Sequence, residues 1–277
     1  MDLSYPPETE PFRLEVRAWI EANLPGRAPV EWNALLHETG WAVPMWPVEL
    51  GGRGLSTVEA VIWTEELQRA GAPIQPAAGG ELLLGPTILH WGTPEQQQRF
   101  LPPIARGEEV WCQGFSEPSA GSDLAGLSTS ARLDGDEWVI DGHKVWTSQA
   151  QEADLMFTLV RTNPDAPKHK GISYLLIPMR QPGIEVRSIV QPDGTAGFSE
   201  VILTGARAPK GNVVGGVDNG WTVAMSTLGF ERGTSAVSSW QRYERDWAAI
   251  VDDARRHDRL ADPVVRQRLA RAWSDIQ

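Results

Sequence analysis

The feature that most constrains this chain is a change of hydrophobic period near Trp111. Before it, apolar residues recur at helical spacing. Phe12, Val16, Trp19, Ile20 and Leu24 line one face, and Pro25-Gly26 ends the run. A second helix is expected over residues 30–39, closed by Gly40, followed by a Gly- and Pro-rich loop over 41–55. Ser56-x-x-Glu59 is a capping box opening a helix to Ala70. Residues 82–91 read as another helix, and Thr93-Pro94-Glu95-Gln96 opens the next with proline at its first position. Residues 1–9 read as an irregular lead-in.

After Trp111 the period is that of strands. Residues 129–133 and 138–140 alternate and are joined by Asp134-Gly135-Asp136, a hairpin signal. Short β-rich runs follow at 155–160, 172–178, 184–189 and 198–203, punctuated by Asn163-Pro164, Pro182-Gly183 and Asp193-Gly194. From Trp221 the helical period returns, first to Phe230, then to His257, then from Asp262-Pro263 through Trp273. The expected fold is α+β and multidomain: an all-α domain over residues 1–110, an antiparallel β-barrel or sandwich over 111–212, and a partial helical domain over 213–277.

Composition narrows the function classes. With 25 basic against 36 acidic residues and a net charge of −11, a broad nucleic-acid surface is disfavoured, while a local pocket for an anionic ligand is not. Cys112 is the only cysteine, which excludes an intrachain disulfide. The five histidines show no ligand spacing, and no metal is expected. No apolar run reaches bilayer length and the acidic start is not a signal peptide, so a cytoplasmic location is expected. Nicotinamide, triphosphate and serine-hydrolase motifs are missing.

Two motifs carry chemistry. The stretch SEPSAGSD over residues 116–123 is small, hydroxyl-rich and bent by Pro118 and Gly121, so its amides can converge on an anion; an ordinary tight turn uses the same residues. Lys144-Val-Trp-Thr-Ser148 sets a large aromatic beside two hydroxyls. The indole either packs in a core or offers a face to a flat ligand. Nest and aromatic strand together suit a ligand with a pyrophosphate and a planar ring.

Both motifs resemble the flavin-binding signature of the acyl-CoA dehydrogenases. Further segments agree in order: GWAVPMWPVELGGRG over 40–54, GTPEQ over 92–96, FLPPI over 100–104, and Gly220-Trp221 with Glu231-Arg232. The resemblance runs from about residue 10 to the end of the chain. It implies FAD as cofactor, with Gln113, Gly114, Phe115 and Ser116 along the ring edge and Gly121 and Ser122 near the pyrophosphate and substrate. Trp146 would pack on the ring, Thr147 would lie beside it, and Ser148 would donate toward the hydride-accepting nitrogen. Ser119 stands where relatives often have glycine, and would be strained if that position needed positive φ.

The resemblance further implies removal of an acyl-CoA α-proton by a carboxylate and departure of a β-hydride to the flavin, giving a trans-2-enoyl-CoA as in fatty acid β-oxidation. Glu231 is the candidate base, with Phe230 and Arg232 at the substrate. A plain ion pair between Glu231 and Arg232 is the other reading, and some members carry the base later, beyond the residues present here. An electron-transfer flavoprotein would take the electrons, and the family favours tetramers. The third domain of the family is a four-helix bundle, of which this chain supplies the beginning. Further chain or a partner would complete it. A partner-dependent, non-catalytic subunit and a flavin oxidase or monooxygenase on the same scaffold are the alternatives.

Overall fold

The computed structural model describes residues 5–73 and 79–276, with the backbone alone for residues 232–242. Seven α-helices are described: α1 (Glu10–Asn23), α2 (Pro29–Glu38), α3 (Thr57–Arg69), α4 (Gly85–Trp91) and α5 (Pro94–Ala105) before the sheet, α6 (Gly220–Arg256) and α7 (Pro263–Ile276) after it. Both capping boxes form. Ser56 Oγ accepts from the Glu59 amide while the Glu59 carboxylate accepts from the Ser56 amide, and Thr93 and Gln96 do the same at α5. Two local expectations need correction. Of the lead-in, Pro7–Thr9 form a 3-10 turn that feeds α1, and residues 1–4 lie outside the described residues. The helix expected over 82–91 begins as a wider π turn, Gly80–Leu84. Gly80 and Gly85, five residues apart, each face a tryptophan. A Cβ on Gly80 would lie 3.3 Å from the Trp111 ring, and one on Gly85 would lie 1.8 Å from that of Trp46. The π turn matches that five-residue spacing.

The chain divides into two compact units. The first has its described residues within Met1–Trp32, Leu55–Ile74 and Arg232–Gln277. There α1 packs on α3 through Val16, Ile20, Ile62 and Trp63, all buried. The Glu66 side chain, only 2 % exposed, accepts from Arg13, Arg17 and Arg69. Burial would raise that carboxyl, but the three guanidinium groups outweigh it and hold it near 2. Elsewhere in this unit Trp247 on α6 meets Trp273 on α7 at 4.6 Å, and its indole N–H donates to the Leu269 carbonyl.

The second unit, Asn33–Gly54 and Gln75–Glu231, is organised by one eight-stranded sheet. Its strands are β1 (Trp111–Gly114), β2 (Ser130–Asp134), β3 (Glu137–Ser148), β4 (Leu155–Arg161), β5 (Ile172–Pro178), β6 (Ile184–Ile189), β7 (Phe198–Pro209) and β8 (Val213–Val214). The order is β6-β7-β3-β2-β4-β5-β8, with β1 on β4. The β2–β3 hairpin closes through Gly135 at φ +64. The sheet is not wholly antiparallel: β1 runs parallel to β4 from Trp111↔Leu155, and β2 joins β4 in parallel at Ser130↔Arg161.

β4 and β5 are buried on both faces, which is why they read as continuous apolar runs instead of alternating ones. On one face Phe157, Leu159, Tyr174 and Leu176 meet Ile88, Leu101, Ile104 and Val223 of the helices. On the other, Met156, Val160, Leu175 and Ile177 meet Ile140, Val201 and Leu203. β5 and β7 approach each other although three strands separate them in the order. The sheet therefore curls so that its second face closes on itself.

Candidate cofactor and active site

The 116–123 stretch hangs from the end of β1. Gly114 has no space for a side chain, since a Cβ there would lie 2.5 Å from Met156 Sδ. Phe115 turns into the core, edge-on to Phe157 and Tyr174 at 6.0 and 5.9 Å. Its side chain is thus buried, and its backbone is what the next residues hang from. Glu117 and Ala120 exchange both backbone hydrogen bonds at 3.0 Å across Pro118-Ser119. Ser119 does not adopt positive φ, so serine is unstrained at that turn. Gly121, Ser122 and Asp123 follow, all exposed, and Gly121 faces open space.

A buried ion pair ties this turn to β3. Alternation along β3 places Lys144 on the inward face with Trp138 and Ile140, and its side chain is 0 % exposed. Lys144 Nζ donates to Glu117 Oε1 at 2.9 Å, to the Phe115 carbonyl at 3.2 Å and to the Leu159 carbonyl at 2.8 Å. Glu117 also accepts from the Ser128 amide and hydroxyl and from the Thr129 amide, at 2.7 to 2.9 Å. Burial acts to raise the Glu117 carboxyl, but the Lys144 charge and these donors prevail and hold it near 2. Burial pulls Lys144 down to about 8, against the attraction of Glu117. As an ion pair at 2.9 Å the two charges offset each other, so the pair adds no net charge. Beside it, the Val145 amide donates to the Ser116 carbonyl at 2.9 Å.

Immediately after, the β3–β7 ladder breaks. Lys144 pairs with Val201 and Thr147 with Ser199, so β3 carries one residue more than β7 between them. Within this bulge Trp146 has φ +62, unusual for a bulky residue, and is 58 % exposed, with its ring edge-on to Phe198 at 6.0 Å. The core-packing reading of Trp146 does not hold. Ser148 is exposed, while Thr147 is buried. Thr147 Oγ1 and Ser199 Oγ, at paired positions, have no hydrogen-bond partner among the described residues.

The structure thus brings Ser116 and the 144–148 segment together through main-chain and ion-pair contacts. Phe230 is half-buried and Glu231 exposed, both on α6, while the side chain of Arg232 lies outside the described residues. Gln113 is half-buried on β1. An exposed indole face, accessible hydroxyls at Ser148 and Ser122, a half-buried Ser116 and a local charge already neutralised suit a planar, polar-edged ring joined to a phosphate. The donor set fits a flavin nucleotide. Among the described residues no group of three His, Cys, Asp or Glu is placed to hold a metal, and no helix is long and apolar enough to cross a membrane. Sequence reasoning passed over Glu117 and Lys144 as a pair. The signal was present: a lysine in step with Trp138 and Ile140 points inward, and a buried ammonium requires an anion.

Comparison with known proteins agrees. Residues 6–108 match the family model "Acyl-CoA dehydrogenase, N-terminal domain", and residues 112–206 match "Acyl-CoA dehydrogenase, middle domain". Acyl-CoA dehydrogenase IpdE1 of Mycobacterium tuberculosis is 46 % identical, over 98 % of this chain and 75 % of that protein. A solved structure described as "Tcur3481-Tcur3483 steroid ACAD" superposes with TM-score 0.87 at 37 % identity, over 100 % of this chain and 74 % of that one. The ChsE4-ChsE5 complex from Mycobacterium tuberculosis gives TM-score 0.69 at 37 % identity, over 83 % of this chain and 61 % of that one. The chain therefore belongs to the acyl-CoA dehydrogenases, a flavin-dependent family of oxidoreductases.

Proposed function

We propose that this chain binds FAD at the bulge of β3 and takes part in the α,β-dehydrogenation of a steroid-derived acyl-CoA, in assembly with a second, related chain. The observation that carries the cofactor reading is Trp146, an exposed indole held at positive φ beside the exposed Ser148 and tied to the Ser116 turn. An exposed ring in a disfavoured backbone conformation is a cost to the fold that a ligand-contacting role explains. Bound FAD supplies the acceptor for the two electrons and the hydride that leave the substrate. The protein's share is placement. Trp146 offers the flat face, Ser148 and Ser116 the polar edge, Thr147, whose side chain is buried, its backbone, Gln113 and the 114–115 backbone the flank, and Gly121-Ser122 the amides for phosphate or substrate.

Glu231 is the proposed base for the α-proton. It stands on α6, where a carboxylate is held by a helix and not by a loop. Phe230 and Arg232 flank it and are proposed to meet the thioester. The substrate class and the second chain come from relatives: one described as a steroid ACAD naming two chains, another as a complex of two. A flavoprotein acceptor would take the electrons onward.

An anaerobic visible spectrum during titration with acyl-CoAs tests this. The expected result is a bound-flavin spectrum that bleaches with a steroid side-chain thioester and not with straight-chain ones. Glu231→Gln should keep the flavin and lose the bleaching. Failure to take up FAD on reconstitution would refute the cofactor reading, and bleaching confined to straight chains would refute the substrate class.

A further inference from the structure

The Lys144–Glu117 pair does more than a salt bridge needs to do. Its ammonium holds three oxygens on two segments: Phe115 and Glu117 in the stretch that follows β1, and Leu159 on β4. Its carboxylate gathers the Ser128 and Thr129 amides just before β2. The one strained aromatic of the region, Trp146, lies two residues beyond Lys144. Its indole is 58 % exposed and meets the Phe198 ring edge-on at 6.0 Å. A residue in the left-handed region persists only where its flanks over-determine it. Downstream, Thr147 re-enters register with Ser199; upstream, the flank is Lys144 and the Val145 amide on Ser116.

We infer that Lys144 and Glu117 are positioning residues for the cofactor site: together they set the spacing between the Ser116 turn and the β3 bulge, and so hold Trp146 in its exposed, left-handed pose. Their role toward the cofactor rests on the FAD reading above. Their role in placing the bulge rests on the geometry alone. A pair that served only the stability of the sheet could be replaced by neutral groups of similar size without moving the bulge.

The test uses the whole 277-residue chain and the double variant Glu117→Gln/Lys144→Met, which removes both charges and strands neither. Two readouts are taken: FAD affinity by reconstitution, and hydrogen exchange of the Val145 amide in the apoprotein. The expected result is FAD binding weaker by about tenfold or more, because placement errors of an ångström carry such factors. Val145 exchange should speed up by about tenfold while amides central to β4 and β5 stay within about threefold. Wild-type FAD affinity or unchanged Val145 exchange in a folded double variant would each overturn the inference. If the unmutated chain takes up no FAD, the cofactor reading fails, and the exchange measurement still decides whether the pair positions the bulge. Should the double variant not fold, Glu117→Asp, which keeps the charge and shortens its reach, takes its place: weaker FAD binding with faster Val145 exchange supports the inference, and wild-type values of either overturn it.

Discussion

Position 146 offers a substitution series in which the usual order of residues should invert. Trp146 is 58 % exposed, so about two fifths of its surface, roughly 100 Å², is covered by protein, worth at most about 2.5 kcal/mol at 25 cal/mol per Å². Trp146→Ala and Trp146→Gly forfeit that contact equally. Their difference therefore isolates the backbone. At an ordinary position glycine is less stable than alanine by about 0.5–1 kcal/mol, because it loses more freedom on folding. At φ +62 alanine carries the Cβ clash, about 1–2 kcal/mol, and glycine does not. The net expectation is that Trp146→Gly exceeds Trp146→Ala in stability by about 1 kcal/mol. Urea unfolding of the two apoproteins, followed by far-ultraviolet circular dichroism, measures it as a shift in midpoint at constant slope. Alanine equal to or more stable than glycine would refute the argument, since the backbone at 146 would then not be held in the left-handed region.

Two pH effects follow from buried carboxylates. Glu117 is depressed from 4.5 to about 2 in the fold, so its contribution is complete above pH 4.5 and is lost as pH falls toward 2. The size, 4.5 minus 2 at 1.36 kcal/mol per unit, is about 3 kcal/mol. The double variant Glu117→Gln/Lys144→Met should accordingly show a shallower loss of stability across that window in acid titrations. Glu81 has the opposite sign: burial raises its carboxyl, so its favourable contribution is present below pH 4.5 and disappears as pH rises through the folded value. Its neighbour His37 places Nδ1 2.9 Å from the Ala105 carbonyl and Nε2 3.5 Å from Glu81 Oε1. Glu81→Gln removes that ionisation, and should gain stability relative to the unmutated chain as pH is raised from 4 toward 8. Equal gains at both values would remove ionisation as the cause.

Much of the fold was legible because the residues that start and stop elements act locally. Ser56 and Glu59, Thr93 and Gln96, and Gly135 in its hairpin specify their turns through bonds to near neighbours, and each appears where its pattern put it. What local pattern cannot express is pairing between distant strands. Nothing in the sequence WCQG of β1 announces a parallel partner at residues 155–158, because that choice is settled by burial on both faces of β4. The π turn is equally non-local, set by Trp46 and Trp111 pressing on two glycines.

The candidate site shows the same division. Ser116, Trp146 and Ser148 were visible as motif residues, but a motif does not reveal which member is exposed. Phe115 and Trp146 are both aromatic and both in the flavin signature, yet one is in the core and the other in solvent. The bulge decides this. Had β3 continued in register past Lys144, the alternation that carries Trp138, Ile140 and Lys144 inward would have sent residue 146 inward too. One extra residue breaks that sequence, and the indole emerges on the surface at the cost of a left-handed backbone. The exposure of Trp146 and the strain at Trp146 are therefore one structural event. A substitution that removed the bulge would be expected to bury residue 146 and lose the cofactor face together.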